Sequence, residues 1–242
     1  MENFALTATS AEEALRHSLD FFGLRRIALA SSFGAEDQVL TDLLVRIHPE
    51  VRIFTLDTGR LFQETYDVMQ ESVARYAIRY EVLAPEAAEI AQLVSIDGPN
   101  LFYSSVEKRK ACCEVRKVRP LRKILSTVGA WICGLRREQA PTRQAVELVS
   151  WDQEFGVYKI CPLFDWSEAR VWQYIQDHNV PYNTLHDRGF RSIGCSPCTR
   201  ATGPGEDIRA GRWWWEAPEQ KECGLHASLP EPLSENVSED AC

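Results

Sequence analysis

Short β-rich runs alternate with segments of helical period along most of the chain, and no other feature restricts the fold as strongly. "RRIALASSF" (25–33), "EVRIFTLDTG" (50–59), "IRYEVLAP" (78–85), "GAWICGLRR" (129–137) and "GVYKICPLF" (156–164) read as buried strands. They are rich in Ile, Val, Leu and aromatic residues and are bounded by turn formers. Helical segments fall between them, near 11–22, 36–47, 61–77, 86–95, 108–126 and 167–178. In "DWSEARVWQYI" a polar pair stands where an N-cap is expected, and Val171, Trp172 and Ile175 follow at helical spacing. Such alternation predicts a doubly wound, mostly parallel α/β sheet with helices on both faces, whose ligands collect at the carboxyl ends of the strands. A chain of 242 residues with 45% apolar content can bury a core of that kind. No internal repeat interrupts the pattern. It stops near residue 205, which predicts an α/β domain over 1–205 and an acidic, proline-containing tail over 206–242 that is mobile or only conditionally ordered.

No apolar run is long enough to span a bilayer, and "MENFALTATSAEEALRH" lacks the features of a signal peptide, so a cytoplasmic protein is expected. In that reducing compartment the eight cysteines point to ligands or catalysts rather than structural bridges. A net charge of −8 argues against a general nucleic-acid binder, because phosphate binding is driven by cations. The charge is unevenly spread. Residues 108–123 carry eight of the 27 basic residues and only Glu114 as acid, a concentration suited to a small anion at a defined place.

Three strand ends carry candidate anion-binding residues. The first strand runs into "SSFGAED", where Ser31, Ser32 and Gly34 leave backbone N–H groups free to face an anion. This is neither a Walker A loop nor a dinucleotide fingerprint, and alone it reads equally as an ordinary strand–helix turn. "LDTGRLFQET" follows the second strand, and "CGLRREQAPTR" adds Gly134, Arg136, Arg137 and Arg143 after the fourth predicted one. Together they suit an adenylate-type pocket, although each arginine alone could be a solvated surface charge.

Two cysteine pairs stand out, the adjacent Cys112 and Cys113 in "KRKACCEVRKVRPL" and Cys195 and Cys198 in "SIGCSPCTRA". A disulfide between adjacent cysteines is disfavoured, because consecutive Cα atoms lie ~3.8 Å apart and the usual disulfide span is roughly 4.4–6.8 Å. A thioredoxin-type redox pair is expected after an early strand, whereas the C-x-x-C here comes late. Four thiols among many cations therefore point to metal ligation. Adjacent cysteines strain a single tetrahedral zinc site, while an iron–sulfur cube offers each a separate corner; both remain open at this point. Cys133 and Cys161 lie in apolar strand-like runs and read as core, and Cys242 as a tail thiol. Cys223 in "QKECGLH", with Lys221 before it and His226 after it, is a candidate nucleophile.

"KRKACCEVRKVRPL", "GLRREQAPTR", "SIGCSPCTRATGPGEDIRAGRWWWE" and "ECGLH" together resemble the thioredoxin-dependent assimilatory adenylyl-sulfate (APS) reductases, as do "SSFGAED" and "LDTGRLFQET". The resemblance covers roughly residues 25–226. It implies an adenine-nucleotide α-hydrolase-like fold, a [4Fe–4S] cluster on Cys112, Cys113, Cys195 and Cys198, and Cys223 as the catalytic nucleophile. It implies that Lys117 lies between cluster and substrate and that Arg143, Arg209 and Arg212 bind the phosphosulfate. Ser31, Ser32 and Gly34 would belong to the phosphate-contacting loop, with Leu56 and Gly134 near the nucleotide. Trp213, Trp214 and Trp215 read as a packing anchor for the tail. The implied partners are adenylyl sulfate and reduced thioredoxin, with a homo-oligomer expected by analogy and neither nucleic acid nor membrane involved. Relatives that reduce the 3′-phosphorylated nucleotide (PAPS) typically lack both cysteine pairs, which leaves PAPS or dual reduction as the alternative. A cluster-bearing sensor or zinc-stabilised binding module would leave the three strand-end loops unexplained.

Overall fold

The computed structural model describes Phe4 and residues 6–217. Six strands form one sheet: β1 (Ile27–Ala30), β2 (Arg52–Leu56), β3 (Tyr80–Leu83), β4 (Ala130–Ile132), β5 (Val149–Asp152) and β6 (Val157–Ile160). Their spatial order is β3-β2-β1-β4-β6-β5, parallel throughout except for the antiparallel β5–β6 pair at one edge. The expected doubly wound, mostly parallel architecture is the observed one. β5 is an addition. "VSWD" is short, ends in a charge and leaves Trp151 exposed, so its pattern lacks the apolar density of the inner strands.

The helices are α1 (Ala11–Phe22), α2 (Ala35–Ile47), α3 (Gln63–Tyr76), α4 (Ala87–Asp97), α5 (Val106–Cys113), α6 (Arg119–Leu125) and α7 (Glu168–His178). Alternation along the central strands serves two cores. Ile27, Leu29, Ile53, Ala130 and Ile132 join Leu15 of α1, Leu40 and Leu44 of α2, and Val171 and Ile175 of α7. The intervening Ala28, Phe54, Trp131 and Cys133 pack on the opposite face with Leu121, Ile124 and Leu125 of α6. Ser10 and Ser167 cap α1 and α7 by accepting hydrogen bonds from the Glu13 and Arg170 N–H groups.

The helix expected over 108–126 is present but uneven. Between α5 and α6 the backbone opens into a wider π turn over Glu114–Val118. Pro120 follows at once, without an N–H for the Arg116 carbonyl four residues back, and the wider turn accommodates that loss. Residues 206–217 fall in the expected tail, yet they pack against the domain. Arg212 bridges to Thr199, Trp213 is 1% exposed, and a Cβ on Gly211 would stand 2.2 Å from the Arg200 carbonyl oxygen.

Candidate active site

The strand order reverses between β1 and β4, and a cavity of about 450 Å³ opens at their carboxyl ends. Ser31, Ser32, Gly34, Leu56, Lys117, Gly134, Arg143, Arg209 and Arg212, all expected from the sequence at a nucleotide site, line this one cavity. The three arginines are nearly buried, which concentrates positive charge in a poorly solvated wall. Gln139 organises one side: its Oε1 accepts from the Arg136 N–H and the Arg143 guanidinium, and its Nε2 donates to the Gly134 carbonyl. Gly134 is required by close approach, since a Cβ there would lie 2.6 Å from Asp37 Oδ1 and 2.8 Å from Glu36 Cβ.

The loop after β1 departs from the expectation of free N–H groups. The Ser32 N–H donates to Asp37 Oδ2 at 2.7 Å, the Ser32 hydroxyl donates to the same oxygen at 2.7 Å, and the Ser31 N–H donates to the Phe54 carbonyl. Asp37 stands in the first turn of α2, close enough for its carboxylate to fill the place anticipated for an external anion. Burial pushes Asp37 up to about 6, against the Ser32 hydrogen bonds that favour its charged form. Asp37, Thr58, Gln139 and Glu36, the ion-pair partner of the expected Arg136, were missed as site residues. The "AED" and "LDT" triplets beside the quoted loops were the available signal.

Lys117, Cys195 and Arg212 are shared with a second, smaller cavity, which Cys112, Cys113 and Cys198 also line. All four cysteines are buried and none is in a disulfide. The π turn sets the geometry on one side, because it follows Cys113 directly and carries both Arg116 and Lys117. Phe102, Arg60, Arg109 and Trp213 complete the walls.

Burial raises the Cys195 thiol, but Lys117, a 3.3 Å contact with the Thr58 hydroxyl, Arg212 and Arg116 outweigh it and leave the thiol below its ordinary value. Cys198 is pushed up to about 12 by burial and then by the charge on Cys195. Burial also raises Cys112. One thiol inclined to ionise beside others that resist a second negative charge is suited to a bound cation, which deprotonates its thiol ligands.

Buried donors add a second demand, for acceptors that sulfur ligands on such an ion would supply: Arg116 Nε, Arg212 Nε and Trp213 Nε1 belong to cavity-lining residues and have no hydrogen-bond partner among the described residues. The donor set thus fits a sulfur-ligated metal group. Among the described residues, however, no group of three or more His, Cys, Asp or Glu side chains is positioned to hold a metal ion. Cys223 and Cys242 lie outside the described residues.

The sequence profile of the phosphoadenosine phosphosulfate reductase domain matches residues 26–201. The chain belongs to this family. An adenosine 5′-phosphosulfate reductase of Allochromatium vinosum is 53% identical over 203 residues, covering 84% of this chain and 79% of that one. Another from Burkholderia cepacia is 46% identical over 216 residues, covering 89% and 86%. The crystal structure of the phosphoadenylyl-sulfate (PAPS) reductase from Candida auris, a phosphate complex, superposes with a TM-score of 0.70 at 26% identity, covering 82% of this chain and 100% of that one. Candida glabrata FMN adenylyltransferase, at 15% identity, 96% and 83% coverage and a TM-score of 0.54, shares the fold. Within the family match lie both cysteine pairs and every expected cavity residue except Arg209 and Arg212, which follow it in the packed segment.

Proposed function

We propose that this family member reduces adenylyl sulfate to sulfite and AMP with electrons from thioredoxin. The observation that carries the reading is the convergence of Lys117, Arg143, Arg209 and Arg212 on one strand-end cavity that shares Lys117 and Arg212 with the cysteine cavity. The relatives named as adenosine 5′-phosphosulfate reductases support the same substrate.

The sulfur of a sulfate–phosphate anhydride is electrophilic, and AMP is a good leaving group. In this scheme the Cys223 thiolate attacks that sulfur, the S–O bond to AMP breaks, and the enzyme carries Cys–S–SO₃⁻. A thioredoxin thiolate then attacks the Cys223 sulfur and releases sulfite, and the second thioredoxin thiol resolves the mixed disulfide, regenerating Cys223 and leaving oxidised thioredoxin. Lys117 and the three arginines offset repulsion between the anionic nucleophile and substrate and stabilise charge on the departing phosphate. Cys112, Cys113, Cys195 and Cys198 would hold a [4Fe–4S] cluster. When bound, it supplies electrostatic and structural support rather than the electrons of reduction, since thioredoxin provides both.

A homo-oligomer and a cytoplasmic location complete the reading; among the described residues no helix is long and apolar enough to cross a membrane. The test is sulfite release from adenylyl sulfate by anaerobically purified protein with reduced thioredoxin, beside an iron count. Cys223→Ser is expected to bind adenylyl sulfate and retain iron while forming no thiosulfonate. Full turnover by that variant would sink the scheme. Parallel assays with PAPS separate the two substrates, and turnover of PAPS alone would overturn the assignment.

A further inference from the structure

The turn over residues 211–216 is held in a conformation its sequence does not favour. Trp213 has φ = 38°, a left-handed backbone that a bulky aromatic residue rarely adopts and that persists only where the surroundings enforce it. The restraints are identifiable. The Trp213 N–H donates to the Cys198 carbonyl at 3.1 Å, and the Glu216 N–H donates to the Trp213 carbonyl at 2.8 Å. The guanidinium carbons of Arg109 and Arg212 lie 4.6 and 4.7 Å from the Trp213 ring centroid. Arg109, three residues before Cys112 on α5, grips Glu216 with two hydrogen bonds, Nε to Oε1 at 3.0 Å and Nη2 to Oε2 at 2.7 Å. Both side chains of that pair are almost fully buried, at 1% and 2% exposure.

The turn matters because it carries Arg212, which reaches both cavities. Its guanidinium sits where only a glycine leaves room, since a Cβ on Gly194 would be 2.4 Å from Cζ, and its Nη1 donates to the Ile193 carbonyl at 3.1 Å. We infer that Glu216 and Arg109 are positioning residues: their buried pair holds the strained Trp213 turn, and the turn aims Arg212 into the substrate cavity. The inference rests on the sulfonucleotide reading above and adds to it a dependence of substrate binding on a carboxylate and a guanidinium remote from the nucleotide loops. Without the Glu216 charge, Arg109 is left buried with its bidentate partner gone, the turn relaxes toward an ordinary backbone, and Arg212 loses its aim.

The test is a double-mutant cycle on equilibrium binding of adenylyl sulfate, with wild type, Glu216→Gln, Arg212→Ala and the double variant, each checked for intact secondary structure. Glu216→Gln is expected to weaken binding about tenfold, and the double variant to bind within about twofold of Arg212→Ala, because coupled residues are non-additive. Arg109→Lys, which keeps the charge but loses the planar fork, enters the same cycle should Glu216→Gln fail to fold. Additive losses, or wild-type binding by Glu216→Gln, would overturn the inference while leaving the functional reading in place. Wild-type protein that binds adenylyl sulfate no better than AMP would instead bring down the functional reading, and the inference with it.

Discussion

The larger cavity is built from the ends of neighbouring strands, whereas the cysteine cavity is closed by segments distant in sequence: the loop at Arg60, the π turn, the Cys195–Cys198 loop and the Trp213 turn. The first follows from topology, since any doubly wound sheet leaves a crevice where its strand order reverses. The second exists only once the last of those segments has packed. Charge behaves differently in the two places. In the larger cavity burial drives Asp37 toward neutrality, while in the smaller one cations draw Cys195 toward the thiolate despite burial. The two cavities thus differ in origin and in charge, and they meet at Lys117, Cys195 and Arg212.

The largest expected effect separates two buried thiols on the wall of the same strand-end cavity. Cys195→Ser should lose iron and lower sulfite production more than ~100-fold, beyond the loss usual for merely supporting groups of a metal site. Cys133→Ser should keep its iron, because Cys133 packs with the core and pairs with Cys161 rather than with the other four. Iron retained in the first variant, or lost in the second, would show that the two cavities are not divided as described.

Two glycines sharpen the comparison at smaller magnitude. Gly134→Ala drives a methyl into Asp37 and Glu36 at the start of α2, and overpacking of this kind is expected to cost about 1–3 kcal/mol of stability. Gly194→Ala meets the far end of the Arg212 side chain, which can swing away. It should leave the melting temperature nearly unchanged and weaken adenylyl sulfate binding about tenfold, the loss of one charge-assisted contact. Thermal melts with binding isotherms check both. Equal stability losses would mean that the Arg212 pocket is as rigid as the strand-end turn.

The contrast also explains what could be read in advance. The five predicted strands and six helical segments were found because apolar periodicity is local, and the loops beside them were found for the same reason. β5 escaped because "VSWD" carries little periodic signal, and the π turn because its departure from helical period spans only Glu114–Val118. The Arg109–Glu216 pair was illegible. Its members lie 107 residues apart, and nothing in either neighbourhood marks one among many charges as the partner of the other. The four cysteines were legible as two pairs, but their common cavity, with Trp213 as a wall, required tertiary packing.

The remaining test addresses the charge difference directly. Asp37 has a folded value of about 6 against an ordinary 3.8, a shift caused first by burial. A raised carboxyl favours the folded state when protonated, so its contribution is full below about pH 3.8 and is lost as pH rises through about 6. The total is on the order of 3 kcal/mol, from roughly 1.36 kcal/mol for each pKa unit. Asp37→Asn cannot ionise and lacks this loss. The difference in unfolding free energy between variant and wild type should therefore move in favour of the variant between pH 4 and 7, while Glu81→Gln serves as the opposing control. Glu81 is lowered by its hydrogen bond with Arg52, so its contribution is present above the ordinary carboxylate value and fades as pH falls below it. A pH-independent difference for Asp37→Asn would mean that the Asp37 carboxyl titrates alike in the folded and unfolded chain, the Ser32 hydrogen bonds fully offsetting its burial.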